Sequence, residues 1–337
     1  MALGRALTLT AGLLLQMEAV DQDDARYLRL LNLYRSGGGE EAIRQLGALD
    51  AAVLKRVMGR LAPGMDDVDL RASSLLETEL AMSLAERSRW EEADVHFNEA
   101  WKTSLLIDST TDRLSFQRDW LLAAGLFHHQ LIFVHLAEEA FTRADRFLQD
   151  AVRRYPRDPQ VLLAAGSLLD WSGSLRWGER SHLKQAEELY ARARRLAPAD
   201  AEILLRHGWV LEKLGKDEEA SAALLRVLEL EAGDDILYRS RMVLGRLAER
   251  DGRAAEAIAH YEAAREAIPS WQVAHVALAH ALHRSGSHER AREILASALS
   301  MDRRSADEAL GGWWSYELGI ALRFEPLFER MRAEVME

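Results

Sequence analysis

Histidines provide the most metal-like spacing in this sequence. His280 and His283 stand three residues apart in a helical pattern. His275 precedes them by about a turn and a half of helix. A metal would need two or three imidazoles and a converging carboxylate. No carboxylate stands at helical spacing inside this pattern, so no metal site is predicted.

Known catalytic motifs are absent from the sequence. It contains no phosphate-binding loop, no HExxH, no GxSxG and no dinucleotide-binding glycine pattern. The absence of cysteine excludes catalytic thiols, disulfides and thiolate metal sites. A second histidine group, His128, His129 and His135, lies in an apolar helical pattern, where packing or a helix–helix hydrogen bond is favoured. We therefore predict a protein that is not an enzyme, with no catalytic residues and no cofactor.

The composition indicates a folded, helix-rich protein with an acidic surface. Hydrophobic residues make up 48% and charged residues 29%, with only 6 prolines among 337 residues. The formal net charge of −11 argues against non-specific binding to nucleic acid or to an anionic membrane surface, because both require a basic surface. Nucleic acid is therefore not a predicted partner.

The N-terminus carries a candidate signal peptide. Arg5 precedes an uncharged apolar run at residues 6–15, which is too short to span a bilayer. Cleavage after Ala19 would start the mature chain at Val20 and leave it without a membrane span. Residues 1–19 are thus a possible signal peptide, which predicts a periplasmic or secreted protein. The alternative is a first helix packed on the rest of the chain, which would leave the protein cytoplasmic.

Residues 198–232 show the element that is repeated along the chain. Small or apolar residues recur every three or four positions in two stretches, which predicts two amphipathic helices. Gly215 and the two residues after it break the pattern and predict a turn. Such a helix pair cannot bury its apolar stripe alone, so it must stack against further copies.

Copies of this unit follow one another in register. Equivalent positions of the second helices hold Ala186, Ala220, Ala257 and Ala291, then Tyr190, Leu224, Tyr261 and Leu295, then Ala193, Val227, Ala264 and Ala298. The first helices align Gly166, Gly208, Gly245 and Ala279. The step from 186 to 220 and from 257 to 291 is 34 residues. Small residues at these positions allow close helix approach, and the aromatic residues fill the remaining gaps.

These positions make the chain resemble the tetratricopeptide repeat family. The resemblance implies an all-α, right-handed superhelical solenoid of stacked helix-turn-helix repeats. Residues 157–304 are well-formed repeats with an inserted loop at about 170–182, because Asp170 to His182 is polar and rich in glycine. Residues 20–156 resemble the repeat in a degenerate form, and 305–337 are expected to be C-terminal capping helices.

The resemblance also implies a concave groove lined by the first helices. The family's groove positions fall on a mixed set of aromatic, apolar and basic residues, namely Trp171, Trp209, Lys213, Arg239, Met242, Arg246, Arg250, His280, His283 and Arg284. Trp171 and Trp209 could hold an apolar side chain of a bound peptide. Arg246 and Arg250 could bind its carboxylate. Alternatively, the arginines only pair with surface acids, and Trp209 only packs between repeats.

The expected function is therefore binding of a protein or peptide segment in this groove. Family members that clamp the C-terminal carboxylate of chaperones use Asn and Lys at positions that hold Trp209, Arg246 and His280 here, which argues against that specific role. The alternative function is a structural scaffold in a self-associating or envelope-associated complex. The sequence does not identify the partner.

Overall fold

A computed structural model of the protein describes residues 22–135, 138–174, 180–301, 316 and 319–336. Within these ranges the chain forms helices joined by short turns and contains no β-strand. Helices that follow one another along the chain pack together in pairs, and the pairs of the second half stack in sequence order. The predicted all-α solenoid of stacked helix pairs is thus confirmed.

The helices follow one another at short intervals along the described chain. Residues 22–35 form α1, followed by α2 (Gly39–Leu46), α3 (Ala51–Leu61), α4 (Asp67–Glu86), α5 (Trp90–Ser104), α6 (Thr110–His135), α7 (Glu138–Arg154), α8 (Pro159–Ser174), α9 (Arg180–Leu196), α10 (Ala201–Leu214), α11 (Asp217–Leu228), α12 (Asp234–Arg250), α13 (Ala254–Ala267), α14 (Gln272–Arg284) and α15 (His288–Ser300). A short 3-10 turn at Ala321–Arg323 leads into α16 (Phe324–Ala333).

The chain divides into two compact units. The N-terminal unit contains the chain up to Phe127 and resumes at Phe324, whereas the repeat unit contains His128–Arg323. The predicted boundary at residue 156 is of a different kind. It separates repeats that match the family pattern poorly from repeats that match it well, and it does not divide the chain by contacts in space. That boundary therefore stays a prediction.

Glycines in the first helices allow the two helices of each repeat to approach closely. A Cβ added at Gly166 or at Gly245 would collide with the ring of Tyr190 or Tyr261, respectively. Both tyrosines are fully buried, so their rings fill the space that the missing side chains leave. The small residues therefore have the packing role that the repeat pattern predicted.

Helix α10 shows how the local sequence starts and ends these helices. The Asp200 side chain accepts hydrogen bonds from the backbone N–H groups of Glu202 and Ile203, at 3.0 and 3.1 Å. At the other end, Gly215 has φ of 77°, the left-handed conformation that glycine adopts without a steric penalty. The predicted turn at Gly215 is therefore present.

The predicted loop at 170–182 is shorter than expected. Helix α8 continues through Ser174, and α9 already begins at Arg180. Residues 175–179, in the middle of the predicted loop, lie outside the described residues. Asp170 is buried and binds Lys213 of the next repeat, which stabilises a polar stretch in helical form.

The C-terminal helix α16 belongs to the N-terminal unit, and the assignment of residues 305–337 as C-terminal capping helices stays a prediction. Arg330 and Arg332 of α16 form ion pairs with Asp119 of α6 and Glu79 of α4, at 3.1 and 3.3 Å. Of the other predicted segments, residues 302–315 and the possible signal peptide at 1–19 lie outside the described residues. The signal peptide therefore stays a prediction.

Candidate functional site

The first helices of successive repeats, α8, α10, α12 and α14, form what we call the first-helix face. Three polar contacts join neighbouring members of this set: Lys213 Nζ to Asp170 Oδ1 at 3.1 Å, Arg246 Nη2 to Glu212 Oε2 at 3.0 Å, and His280 Nδ1 to Glu249 Oε1 at 3.2 Å. The structure therefore brings much of the predicted groove set onto one continuous surface.

Trp209 lies near the middle of this face with two cations over its ring. Lys213 Nζ is 4.5 Å and Arg246 Cζ 5.3 Å from the ring centroid, within the range of cation–π attraction. Lys213 also donates to Ser174 Oγ at 2.5 Å. The indole is only partly exposed, so its position is set by its neighbours before any partner arrives.

Two arginines of α12 share one carboxylate beside this tryptophan. Arg246 and Arg250 both lie within salt-bridge distance of Glu212, and Arg250 also pairs with Asp217 at 3.0 Å. Their side chains remain 38% and 47% exposed. Ion pairs in water contribute only about 0–1 kcal/mol. A carboxylate from a partner could therefore replace or share these contacts at little cost.

A second cluster centres on Tyr316 and two buried arginines. The side chains of Arg206 and Arg239 are 1% and 4% exposed. Each guanidinium carbon lies 4.3 Å from the Tyr316 ring centroid. Arg206 also donates from Nη2 to the Tyr316 carbonyl oxygen at 2.9 Å. Burial lowers the pKa of Arg239, but an arginine guanidinium remains charged throughout the physiological pH range.

Acidic side chains neutralise this buried positive charge. Arg206 Nε donates to Glu202 at 3.2 Å, and Arg239 donates to the carbonyl oxygen and carboxylate of Asp235. Next to the cluster is an open cavity of about 380 Å³, whose lining includes Glu202, Asp235, Trp271 and Tyr316. An aromatic wall with carboxylates at its edge suits a basic or aromatic side chain.

Not all of the predicted groove residues line the accessible surface. Arg239 and Met242 are buried, at 3% exposure each, and offer no surface to a partner in this arrangement. Trp171 packs against the rings of His129 and Phe133, at 6.3 and 5.3 Å between centroids. Both Trp171 and Trp209 are partly exposed, and their role as an apolar pair for a bound peptide stays a prediction.

The remaining predicted residues lie on α14 at the surface. His280, His283 and Arg284 are all exposed. The ring of His283 lies against that of His288 on α15, with centroids 4.7 Å apart. His275 instead bonds through Nε2 to the Pro269 carbonyl oxygen. The three histidines thus contact different partners and do not meet at one point. Among the described residues, no group of three or more His, Asp or Glu could hold a metal ion.

Arg206, Trp271 and Tyr316 were not among the predicted site residues. Arg206 occupies a run of buried residues in α10, from Ile203 to Gly208, and a charged side chain inside such a run is unusual. That departure was the available signal. Nothing local indicates that Tyr316, 110 residues further along, completes the cluster.

Comparison with known proteins identifies the repeat. Residues 201–234 and 248–310 match profiles described as tetratricopeptide repeat. The protein contains tetratricopeptide repeats. The two matched segments contain α10, α11, both ends of α12, α13, α14 and α15, and therefore include Arg206 and Trp209.

Solved structures with a similar arrangement of helices include MamA proteins. A crystal structure of MamA shares 20% identity with this protein, covers 48% of this chain and 87% of its own, and gives a TM-score of 0.42. MamA from residue 41 onward, of Desulfovibrio magneticus RS-1, also shares 20% identity, covers 54% of this chain and 97% of its own, and gives a TM-score of 0.43. No curated protein sequence matches the chain.

A role in protein interaction or scaffolding follows from the repeats, because such arrays present extended surfaces to other proteins. The described helices include none with both the length and the apolar character needed to cross a bilayer.

His129 is a buried histidine whose ring lies among aromatic neighbours in the repeat unit. Neither ring nitrogen has a hydrogen-bond partner, and the side chain is fully buried against Phe133 and Trp171. Burial, reinforced by the charge of Arg206, lowers the pKa of His129 from 6.5 to about 3. The folded state therefore holds the ring in its neutral form.

This histidine is expected to make the repeat unit less stable in acid. Below pH 6.5 the unfolded chain binds a proton that the folded state excludes, so the free energy of unfolding falls as pH decreases. For one such group the loss at pH 5 is about 2 kcal/mol. Between pH 7.5 and pH 5, we expect the free energy of unfolding of His129→Leu to fall by about 2 kcal/mol less than that of the wild type. Urea unfolding at both pH values, followed by hydrogen exchange in α6 and α8, measures this difference.

The matched control for this prediction is Val134→Leu, because the Val134 side chain is 66% exposed on the same helix and carries no titratable group. It should retain the pH dependence of the wild type. Burial also lowers the pKa of His207, so part of the acid sensitivity of the repeat unit should persist in every variant. An unchanged pH dependence in His129→Leu would contradict the assignment.

Proposed function

We propose that this protein binds a protein or peptide segment along the first-helix face, and that it acts without catalysis. The observation that carries the proposal is the arrangement at Trp209, where a partly exposed indole is held between the cations of Lys213 and Arg246. Tryptophan and arginine are the residue types that most often dominate binding energy at protein interfaces.

The contacts around Trp209 favour a segment that carries both an apolar side chain and a carboxylate. The indole offers apolar surface, while Arg246 and Arg250 offer guanidinium groups that are only partly exposed. Because Glu212 already orients both guanidiniums, little side-chain entropy is lost when a carboxylate joins them. Lys213 is fixed by Asp170, so the surface is ordered before binding.

Substitutions at this surface should reduce partner capture. We expect Trp209→Ala and Arg246→Glu each to weaken binding about tenfold or more, because they remove the indole surface and reverse the charge beside it. The measurement is quantitative affinity capture from the native source by tagged full-length protein, with mass spectrometry of the proteins that wild type retains.

Arg226→Glu is a matched control for the charge reversal. Arg226 lies on α11, the second helix of the same repeat, and pairs with nearby Glu229. It should retain the wild-type partners. If Trp209→Ala and Arg246→Glu also retained them at wild-type levels, while melting normally, binding on this face would be rejected.

Self-association is the competing function. Light scattering after gel filtration, over a range of protein concentrations, separates the two roles. A monomer that loses its partners on Trp209→Ala substitution supports partner binding. A concentration-dependent oligomer that Trp209→Ala does not alter would favour a self-associating scaffold.

We also propose that the protein works outside the cytoplasm. The apolar run at residues 6–15 after Arg5 supports this proposal, since its length fits the core of a signal peptide. N-terminal sequencing of the protein from its native source tests it. A mature chain that starts near Val20 is expected, and a protein that keeps Met1 or Ala2 as its first residue would overturn the proposal.

A further inference from the structure

A C-terminal segment of the chain lies on the first-helix face. This segment, which we call the internal segment, consists of Tyr316 and residues 319–323 of the repeat unit. The Tyr316 ring is held between the guanidiniums of Arg206 and Arg239, each 4.3 Å from its centroid. Its carbonyl oxygen accepts a hydrogen bond from Arg206 at 2.9 Å.

The other end of the internal segment is held by Arg323. Its guanidinium binds the Glu202 carboxylate and donates to Gln160 Oε1, the latter at 3.0 Å. Glu202 also accepts a hydrogen bond from Arg206. One carboxylate therefore contacts both Arg323 and the arginine that holds Tyr316. Gln160 belongs to α8, Glu202 and Arg206 to α10, and Arg239 to α12.

These contacts are of the kind that bind a peptide on a repeat surface. They combine an aromatic ring between cations, a charge-assisted bond to a main-chain carbonyl and an arginine–carboxylate pair. They come from three successive repeats, and the chain that supplies Tyr316 is 110 residues away from Arg206. Arg206 and Arg239 are buried charged groups, and Arg239 is one of the predicted groove residues.

We propose that the internal segment is a tethered ligand that occupies the site of a partner segment carrying an aromatic residue and, seven positions later, an arginine or lysine. The spacing is that of Tyr316 and Arg323. This inference rests on the proposed function, because it assigns the chemistry of a partner and a means of regulation to the same first-helix face. Binding of the partner requires displacement of the internal segment.

Tethering makes the internal segment a strong competitor. A ligand that belongs to the same chain as its site competes intramolecularly, at an effective concentration of about millimolar. A separate segment with the same contacts must therefore reach comparable concentrations before it occupies the site. The internal segment lowers the apparent affinity of the site for a separate peptide of the same sequence. Substitutions that weaken the binding of the internal segment should therefore restore that lost affinity.

A labelled peptide with the sequence of residues 316–324 tests the proposal. The peptide, YELGIALRF with an N-terminal fluorophore, is titrated into full-length wild type and into the double variant Tyr316→Ala/Arg323→Ala, with binding read by fluorescence anisotropy. We expect the double variant to bind the peptide at least about tenfold more tightly than wild type. Thermal melting of both proteins confirms that each is folded.

Variant peptides test the same contacts without altering the protein. Peptides with alanine in place of Tyr316 or of Arg323 should each bind the double variant about tenfold more weakly than the unchanged peptide. Equal binding by wild type and the double variant, no binding by either, or no loss with the alanine peptides would each overturn the proposal.

The outcome can be separated from that of the proposed function. The ring of Trp209 lies beside Lys213 and Arg246, and Trp209→Ala tests partner capture at that point of the first-helix face. If Trp209→Ala lost the partners while the peptide failed to distinguish wild type from the double variant, only the tethered ligand would be rejected. If the peptide behaved as expected while Trp209→Ala retained every partner, the wider binding role would be rejected.

Discussion

Replacement of Trp120 by alanine is expected to reduce the free energy of unfolding of the N-terminal unit by about 4 kcal/mol. Trp120 is 1% exposed and lies between Phe97 and Trp101, with ring centroids at 6.2 and 5.4 Å. Its Nε1 also donates to Thr78 Oγ1 at 2.7 Å. The variant would lose this packing, leave a cavity and remove the donor to a buried hydroxyl.

Two further variants separate the parts of this effect. Trp120→Phe keeps an aromatic ring but removes the donor to Thr78, and should cost about 1–3 kcal/mol. Leu114→Ala on the same helix removes a side chain that is 49% exposed, and should cost less than about 0.5 kcal/mol.

Hydrogen exchange in increasing denaturant is the appropriate measurement, because the two compact units need not unfold together. Peptides from α4 and α5 report the N-terminal unit. A loss in Trp120→Ala no larger than that in Leu114→Ala would show that the indole does not support this core.

Gly245→Leu is expected to destabilise the repeat unit by about 3 kcal/mol. The added side chain would begin inside the space taken by the Tyr261 ring. That ring is 1% exposed, and its hydroxyl donates to Glu249 at 2.9 Å, so it cannot move aside without loss of a hydrogen bond. Reduced exchange protection of α12 and α13 would report the loss.

Gly59→Ala provides the contrasting result for a glycine without close neighbours. No atom lies within 4 Å of a Cβ added at Gly59 in α3, so the substitution should only gain helix propensity. We expect the N-terminal unit to become more stable by up to about 1 kcal/mol.

A double-mutant cycle with Tyr261→Leu tests the cause of the Gly245→Leu effect. The two substitutions together should destabilise less than the sum of the single ones, because leucine vacates part of the ring's space. Strict additivity would show that the cost of Gly245→Leu does not arise at the tyrosine.

The repeat architecture could be predicted because it depends on local periodicity. The aligned positions Ala186, Ala220 and Ala257 are fully buried, and Ala291 is 5% exposed, as the spacing of small residues required. A helix places residues three and four apart on one face whatever the rest of the chain does. The turns could be predicted for the same reason, since Gly215 supplies its conformation locally.

The extent of the predicted loop could not be obtained from local composition. The polar stretch after Leu169 lowers helix propensity, and on that ground the loop was expected to begin at Asp170. In the structure, Asp170 instead lies buried and binds Lys213, and Ser174 donates to the Asp170 carbonyl oxygen. A contact with the next repeat therefore overrides the local preference and extends α8 to Ser174.

The candidate site also combines features that follow from the local sequence with features that depend on tertiary contacts. The sequence alone determined that the chain is a helical repeat array and which first-helix positions share a face, because both follow from a period of 3.6 residues. Only the tertiary structure decided that Arg206 and Arg239 are buried around Tyr316, and that Trp171 packs on His129 while Lys213 and Arg246 lie over the ring of Trp209. Those outcomes depend on contacts between residues far apart in the chain, which no local pattern encodes.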